Sequence, residues 1–226
     1  MYEKNDANQI LSLKGQDPIA SGSVRDVYTH PTRAGYLVKV FNERKLLAAS
    51  RGVRGAARFI RPHYPYGDFV REQNEYARCI FLGHKLKCRV PIAEIANVTV
   101  TDIGPGQVVR RIGDGAGGIG KTVSNLLHGR AFNEKELACL NRFIRAIWML
   151  EVNAPDLSCD NVVFDGEIGE FILVDGIGEK TLLPARAWVR ALNRKKLHQM
   201  AHRIGGKIKA DWDEEACQFT GFTPTT

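Results

Sequence analysis

The chain has 226 residues, enough for one sizeable core or two small lobes. Hydrophobic residues make up 44% and charged residues 25%, a globular composition, and no apolar run reaches the length of a membrane-spanning helix. The formal charge is +7, and the five cysteines (Cys79, Cys88, Cys139, Cys159, Cys217) form no C-x-x-C pair, which argues for free thiols in a reducing compartment and against a zinc site. The start, MYEKNDANQ, lacks the apolar core of a signal peptide, so the expected location is cytoplasmic.

The first half reads mostly as strands. DPIASGSVRDVYTHP (17–31) predicts a strand, a Gly/Ser turn and a second strand, and GYLVKVFN (35–42) predicts a third. The basic stretch 43–66 reads as an insertion or short helix. Residues 67–86 predict a helix that Asp68 can cap, with Phe69, Tyr76 and Ile80 on one stripe. IAEIANVTVTD and GQVVRRIG predict a hairpin across IGPG.

After a Gly-rich stretch the pattern turns helical. Asn133 and Glu136 form a capping box and Phe132 and Leu137 a hydrophobic staple, ahead of Leu137, Leu140, Ile144, Ile147 and Glu151 at helical spacing. APDLSCDN is followed by VVFD and FILVD, a β-hairpin with Val162 opposite Val174, Asp165 opposite Phe171 and residues 166–170 as its loop. The remainder reads as helical and basic, with a frayed tail, TGFTPTT. A strand-rich half followed by a helix-rich half suggests two lobes with a boundary near 110–115.

Two features carry chemistry. Lys39 sits inside YLVKVF, where strict alternation puts it on the face of Leu37 and Phe41, and Glu72 lies on the apolar stripe of the 67–86 helix. A buried carboxylate is costly unless paired, so the two are expected to meet in the interior; the competing reading is that both reach out to solvent. The second feature is the hairpin, which sets Asn161 and Asp175 at one end, with Asp156 five residues before Asn161. Two oxygen ligands side by side suit Mg²⁺ on a phosphate; the competing reading is three loop residues that cap turns.

The order of these pieces resembles that of protein kinases: glycine-rich loop, strand lysine, helix glutamate, catalytic loop, metal-binding aspartate. IASGSVRDVY resembles the glycine-rich loop but keeps only Gly22 of its glycines, LVKVF resembles V-A-I-K, and APDLSCDN matches H-R-D-L-x-x-x-N at Asp156, Leu157 and Asn161. VDGIG stands where D-F-G would be, with Asp175 retained. PIASGSVRDVYTHP, REQNEYARCIFLGHKL, DLSCDNVVFD and above all VDGIGEKTLLPARAWVRALNRKK are similar to the bacterial YrbL family, the PhoP regulatory network proteins, over roughly residues 17–204 outside the 43–66 insertion.

That resemblance implies an α+β, two-lobed, protein-kinase-like fold, with a β-rich N-lobe (1–112) and a reduced helical C-lobe (113–226). It implies ATP and Mg²⁺ as cofactors and a phosphotransferase acting on a hydroxyl of an unidentified acceptor, a sugar or other small molecule. Ser21, Gly22 and Ser23 would cover the phosphates, Lys39, held by Glu72, would contact them, Asn161 and Asp175 would hold the metal, and Asp156 would orient the acceptor. Departures from the kinase pattern are Ala154 and Pro155 in place of His and Arg, Ser158 in place of a lysine, and only about fifty residues after Asp175. They leave open a pseudokinase that binds nucleotide without transferring phosphate.

A third reading comes from GAGGIGKT (115–122), a full match to the P-loop pattern. It requires a strand before, a helix after and an alternating βαβ chain, and little chain remains for that. The stretch 184–209 holds four arginines, four lysines, two histidines and no acid. It reads as a solvated face or as a surface for an anionic partner, anchored by Trp188. No nucleic-acid-binding motif is recognisable, which disfavours that partner.

Overall fold

The computed structural model describes residues 10–50, 66–178 and 190–223. Among them the fold is mixed α+β, with nine strands and five helices. The chain divides into two compact units, Met1–Val70 with Glu94–Arg111, and Arg71–Ala93 with Ile112–Thr226.

The first unit is built on an antiparallel sheet of five strands in the order β1-β2-β3-β5-β4. The strands are β1 (Ala20–Ser21), β2 (Arg25–Thr29), β3 (Tyr36–Phe41), β4 (Ile95–Thr101) and β5 (Gly104–Arg110). Alternation along β3 sorts its side chains to two faces. Val38 and Val40 bury one face with Leu13, and Phe41 on the other packs on Phe69, with ring centroids 4.7 Å apart. Lys39 shares the second face, in register with Val27 and Gln107, and is buried. The turn between β4 and β5 is Asp102–Ile103, earlier than the IGPG read from the sequence, because Gly104, Pro105 and Gly106 pair within β5. The Asp102 carboxylate accepts from the Leu13 and Lys14 amides, which ties residues 11–14 to the sheet. Helix α1 (Glu43–Ser50) follows β3, so the predicted insertion begins as a helix; residues 51–65 lie outside the described residues.

Helix α2 (Gly67–Leu86) has the predicted bounds but a different inner face. Ile80 is 41% exposed, whereas Glu72, Glu75 and Cys79 are buried beside Phe69. The inner row steps by three, three and four residues, so Ile80 lies about 100° away from Cys79 around the helix.

The second unit's core surrounds helix α4 (Glu134–Met149), which buries Leu137, Leu140, Phe143, Ile144 and Ile147. The Asn133–Glu136 capping box forms. Glu151 does not continue the helical stripe: it adopts a left-handed φ of 47° just past the helix end. Strands β6 (Val162–Asp165) and β7 (Glu170–Leu173) pair one residue out of the expected register, Val162 with Leu173 and Asp165 with Glu170. The loop is therefore 166–169, closed by Gly169 N–H on the Asp165 carbonyl, and Phe164 meets Phe171 edge-on at 5.2 Å. The aromatic pair and the tighter turn outweigh the longer loop read from the sequence.

Helix α5 (Arg190–Ile208) is the basic helix, but the residues that follow it, read from the sequence as helical, are not. They form a hairpin, β8 (Asp211–Asp213) with β9 (Gln218–Thr220), and residues 224–226 lie outside the described residues. Asn141 of α4 bonds both the N–H and the carbonyl of Phe219, at 2.7 and 3.1 Å. The Trp212 indole N–H donates to His198 Nδ1 at 3.1 Å. Strands of three residues leave no periodic signal, and DEEA reads as helix.

Two neighbouring glycines of α5 should respond oppositely to alanine. A Cβ at Gly205 would lie 2.7 Å from the Ala210 carbonyl oxygen, while one at Gly206 meets nothing within 4 Å. Gly206→Ala is expected to stabilise by about 1 kcal/mol, raising Tm by about 2–4 °C, and Gly205→Ala to lower Tm despite the same propensity gain. Thermal melts of the two variants check this.

A pH dependence follows from His198. Burial first, and neighbouring His202 and Arg194, hold its imidazole below the ordinary value, against Glu214, which raises it. The indole bond requires an unprotonated Nδ1. The contribution is fully present above about pH 6.5 and is lost as pH falls through the lower folded value. Urea melts from pH 8 to 5 should show a fall in stability that His198→Gln flattens.

Candidate functional site

The loop after α4 is shaped by its backbone. Val152 N–H returns to the Ile147 carbonyl at 3.1 Å, and Leu157 N–H closes a turn on the Ala154 carbonyl at 3.2 Å. Ala154 and Leu157 are buried, which leaves Asp156 between them at the surface. Asn161 Nδ2 donates to the Asp156 carbonyl at 2.9 Å. With its amide nitrogen so engaged, the side chain presents Oδ1 as its acceptor.

The same geometry brings in Asp175. Val174 N–H donates to the Asn161 carbonyl at 2.9 Å and Gly178 N–H to the Asn153 carbonyl at 2.8 Å, so residues 174–178 run along the loop. Gly176, with φ of 82°, sits at the closest point: a Cβ there would lie 2.9 Å from the Asp156 Cβ and 3.2 Å from Asn161 Nδ2. Only glycine combines that φ with that approach. Asp156, Asn161 and Asp175 thus lie together in the second unit. Asp175 Oδ1 accepts the Gly176 N–H at 2.7 Å.

Ser21, the last residue of β1, and Gly22 and Ser23 of the turn that leads to β2 are exposed in the first unit. Gly22 N–H donates to the Arg25 carbonyl at 2.8 Å. Lys39 is buried in the first unit and Glu72 in the second.

Three residues absent from the sequence reading, Glu75, Arg78 and Asn193, organise the loop together with Arg194 of the basic stretch. Glu75 is buried, accepts the Asn153 N–H at 2.7 Å, and forms a two-pronged pair with Arg78 at 2.6 and 2.9 Å. Arg78 Nη2 also donates to the carbonyls of Leu150 and Glu151, at 3.1 and 3.0 Å. Asn193 of α5 donates to the Glu151 carbonyl at 2.9 Å, and Arg194 reaches the Glu151 carboxylate at 3.2 Å. The hydrogen bond that Arg78 donates to Glu75 leads the causes that hold its guanidinium above the ordinary value. Burial first, and the Glu75 charge next, push the Cys79 thiol up to about 12. The available signal was the step Glu72–Glu75–Cys79 with Arg78 three residues beyond Glu75, a second acidic position on the inner row.

GAGGIGKT folds in two parts. The Asp114 carboxylate, one residue before the match, accepts the Ala116 and Gly118 N–H groups, both at 2.8 Å. Gly120 N–H then bonds the Ile112 carbonyl, and Phe164 N–H bonds the exposed Lys121 at its carbonyl. Thr122 caps helix α3 (Val123–His128), six residues long. In the basic stretch, residues 184–189, including Trp188, lie outside the described residues. Within the rest, three side chains meet acids of the second unit: Arg194 with Glu151, His202 with Glu214, and Lys207 with Asp160 at 3.5 Å. Among the described residues no group of three or more His, Cys, Asp or Glu could hold a metal ion, and no helix is long and apolar enough to cross a membrane.

The profile of the family described as PhoP regulatory network protein YrbL matches residues 11–208. The chain belongs to that family. The match begins earlier and ends later than the 17–204 read from the motifs, and spans 43–66. A search of the curated proteins finds no match.

The pairing of buried Glu75 with the partly exposed Arg78 yields a stability prediction. Glu75→Ala leaves Arg78 and the Asn153 N–H without their shared carboxylate and is expected to cost about 3 kcal/mol, with Glu75→Gln less damaging because it keeps an acceptor. Chemical denaturation of both variants against the wild type measures the difference.

Proposed function

We propose that the chain is an ATP- and Mg²⁺-dependent phosphotransferase of kinase-like, two-lobed architecture, acting on a hydroxyl of a small acceptor. The observation that carries the reading is the convergence at Gly176. Asp156, Asn161 and the residue before Gly176, Asp175, come together around a glycine that leaves them no room for a side chain.

The donor set suits the metal. Asn161 Oδ1 and the Asp175 carboxylate are hard oxygen donors, and Mg²⁺ is commonly held by one or two protein oxygens, completing its shell with water and phosphate. When bound it would supply charge neutralisation at the phosphates. The Asp156 carboxylate, exposed at the loop surface, orients the acceptor hydroxyl and accepts its proton. The Lys39 ammonium and the Ser21–Ser23 turn are the groups assigned to the phosphates. Phosphoryl transfer depends mostly on positioning and charge, so this short set suffices.

A second reading, a nucleotide-binding pseudokinase, is favoured by one feature: the Gly22 N–H is already engaged by the Arg25 carbonyl. Little supports a P-loop NTPase. The Asp114 carboxylate occupies N–H groups that a phosphate would need, and every strand pair of the described sheets is antiparallel.

Purified chain, γ-labelled ATP, Mg²⁺ and a panel of sugars and other hydroxyl compounds test the proposal. Transfer should fall at least about a hundredfold in Asp156→Asn with ATP affinity unchanged. Lys39→Ala should weaken ATP binding about ten- to a hundredfold, and Lys121→Ala less than about threefold. Binding without transfer to any acceptor, water included, selects the pseudokinase; loss of binding in Lys121→Ala alone selects the P-loop.

A further inference from the structure

The β1–β2 turn carries a single glycine in ASGSVRD and is exposed at Ser21, Gly22 and Ser23. An exposed turn of this kind ordinarily samples several conformations. Here it is fastened to the start of α1 by a group of polar side chains centred on Asp26, which is buried on β2. Asp26 Oδ1 accepts from Ser21 Oγ at 2.5 Å and from Lys45 Nζ at 2.6 Å, and Oδ2 accepts from Asn42 Nδ2 at 2.6 Å. Lys45 Nζ also donates to the Gly22 carbonyl at 3.0 Å and to Ser21 Oγ. Asn42 completes the circuit. Its Oδ1 accepts the Lys45 N–H at 3.1 Å, at the first turn of α1, and its own N–H donates to the Val24 carbonyl at 2.9 Å.

A lysine ammonium has three donors. All three of Lys45 find an acceptor within the unit: Ser21, Gly22 and Asp26. Lys45 is therefore suited to act through the turn it holds. An isolated surface ion pair contributes little, but here the carboxylate is buried and carries three charge-assisted or short bonds at once. Burial alone would raise the Asp26 carboxyl, yet the bonds from Asn42, Lys45 and Ser21 outweigh it and hold the group below its ordinary value.

We propose that Lys45 and Asp26 form a latch that presets the β1–β2 turn, and that Lys45 is thereby a positioning residue for the phosphates of a bound nucleotide. The nucleotide half of this rests on the phosphotransferase reading above. A turn held in one conformation loses less entropy when it closes on a ligand, so affinity for the nucleotide is the quantity that depends on it. Sequence reading assigned Lys45 to an insertion, because nothing in the local pattern links position 45 to position 26.

Two independent measurements test it on the intact chain. The first is amide hydrogen exchange over residues 22–25 without nucleotide. Lys45→Met should speed it about tenfold or more, and Lys45→Arg should restore much of the protection. The second is ATP affinity and the split between KM and kcat. Lys45→Met should raise Kd and KM for ATP about tenfold with kcat at saturating ATP little changed, and Lys45→Arg should recover most of the loss. Ser21→Ala, which removes one arm and keeps the ion pair, should give a smaller increase in exchange and serves if Lys45→Met does not fold. Unchanged exchange in Lys45→Met, or in Ser21→Ala where that variant stands in, overturns the latch. Faster exchange with unchanged ATP affinity overturns the positioning role. A wild type that binds no ATP overturns the phosphotransferase reading instead, and the latch then stands or falls on exchange alone.

Discussion

The second unit depends on a buried carboxylate. Glu75 is one side chain on one helix, yet it fixes Arg78, and together they meet the carbonyls of Leu150 and Glu151 and the N–H of Asn153. The carbonyls are ones that the end of α4 leaves without a helical partner, and the N–H begins the loop that follows. Burying a carboxylate is costly unless its acceptors are used, and here both oxygens of Glu75 accept hydrogen bonds. The left-handed backbone at Glu151 carries a further cost of about 1–2 kcal/mol. It is offset by the bonds from Arg78 and Asn193 that converge on the Glu151 carbonyl.

What hangs from that turn is the loop of Asp156. From Asn153 onward its course is set by short backbone contacts: Gly178 to Asn153, Leu157 to Ala154, Asn161 to Ser158. The β6–β7 hairpin then returns the chain to the loop at Val174. A change of one residue in the hairpin register altered which side chains face each other but left Asn161 and Asp175 at the same end. The grouping of the candidate site is therefore less sensitive to register than the packing of Phe164 and Phe171 is.

The eight-residue P-loop pattern shows how a motif can be complete and its geometry absent. The motif's chemistry lies in backbone N–H groups that must point at an anion. In this chain the anion is already present as the Asp114 side chain, one residue outside the pattern. Membership of the YrbL family rests on 11–208 as a whole and owes nothing to that short match.

Local chemistry by itself determined the strand 36–41, the pairing of 95–101 with the strand that follows it though not the position of their turn, the helix 67–86, the capping box at Asn133, and the shared end of Asn161 and Asp175. Each depends on residues a few positions apart, where period, capping and turn chemistry act. It also placed Lys39 on an inner face, because a period of two leaves no choice once Phe41 is buried. Only the tertiary structure decided that Ile80 faces outward and Cys79 inward, since a helix stripe one residue wide can rotate to suit what it packs against. The same holds for the Glu75 contacts with Asn153, the Lys45 contacts with Ser21 and Asp26, and the hold of Asn141 on the C-terminal hairpin. Those bonds join residues 19 to 78 positions apart, and polar side chains carry no periodic signal of a partner that only folding brings within 3 Å.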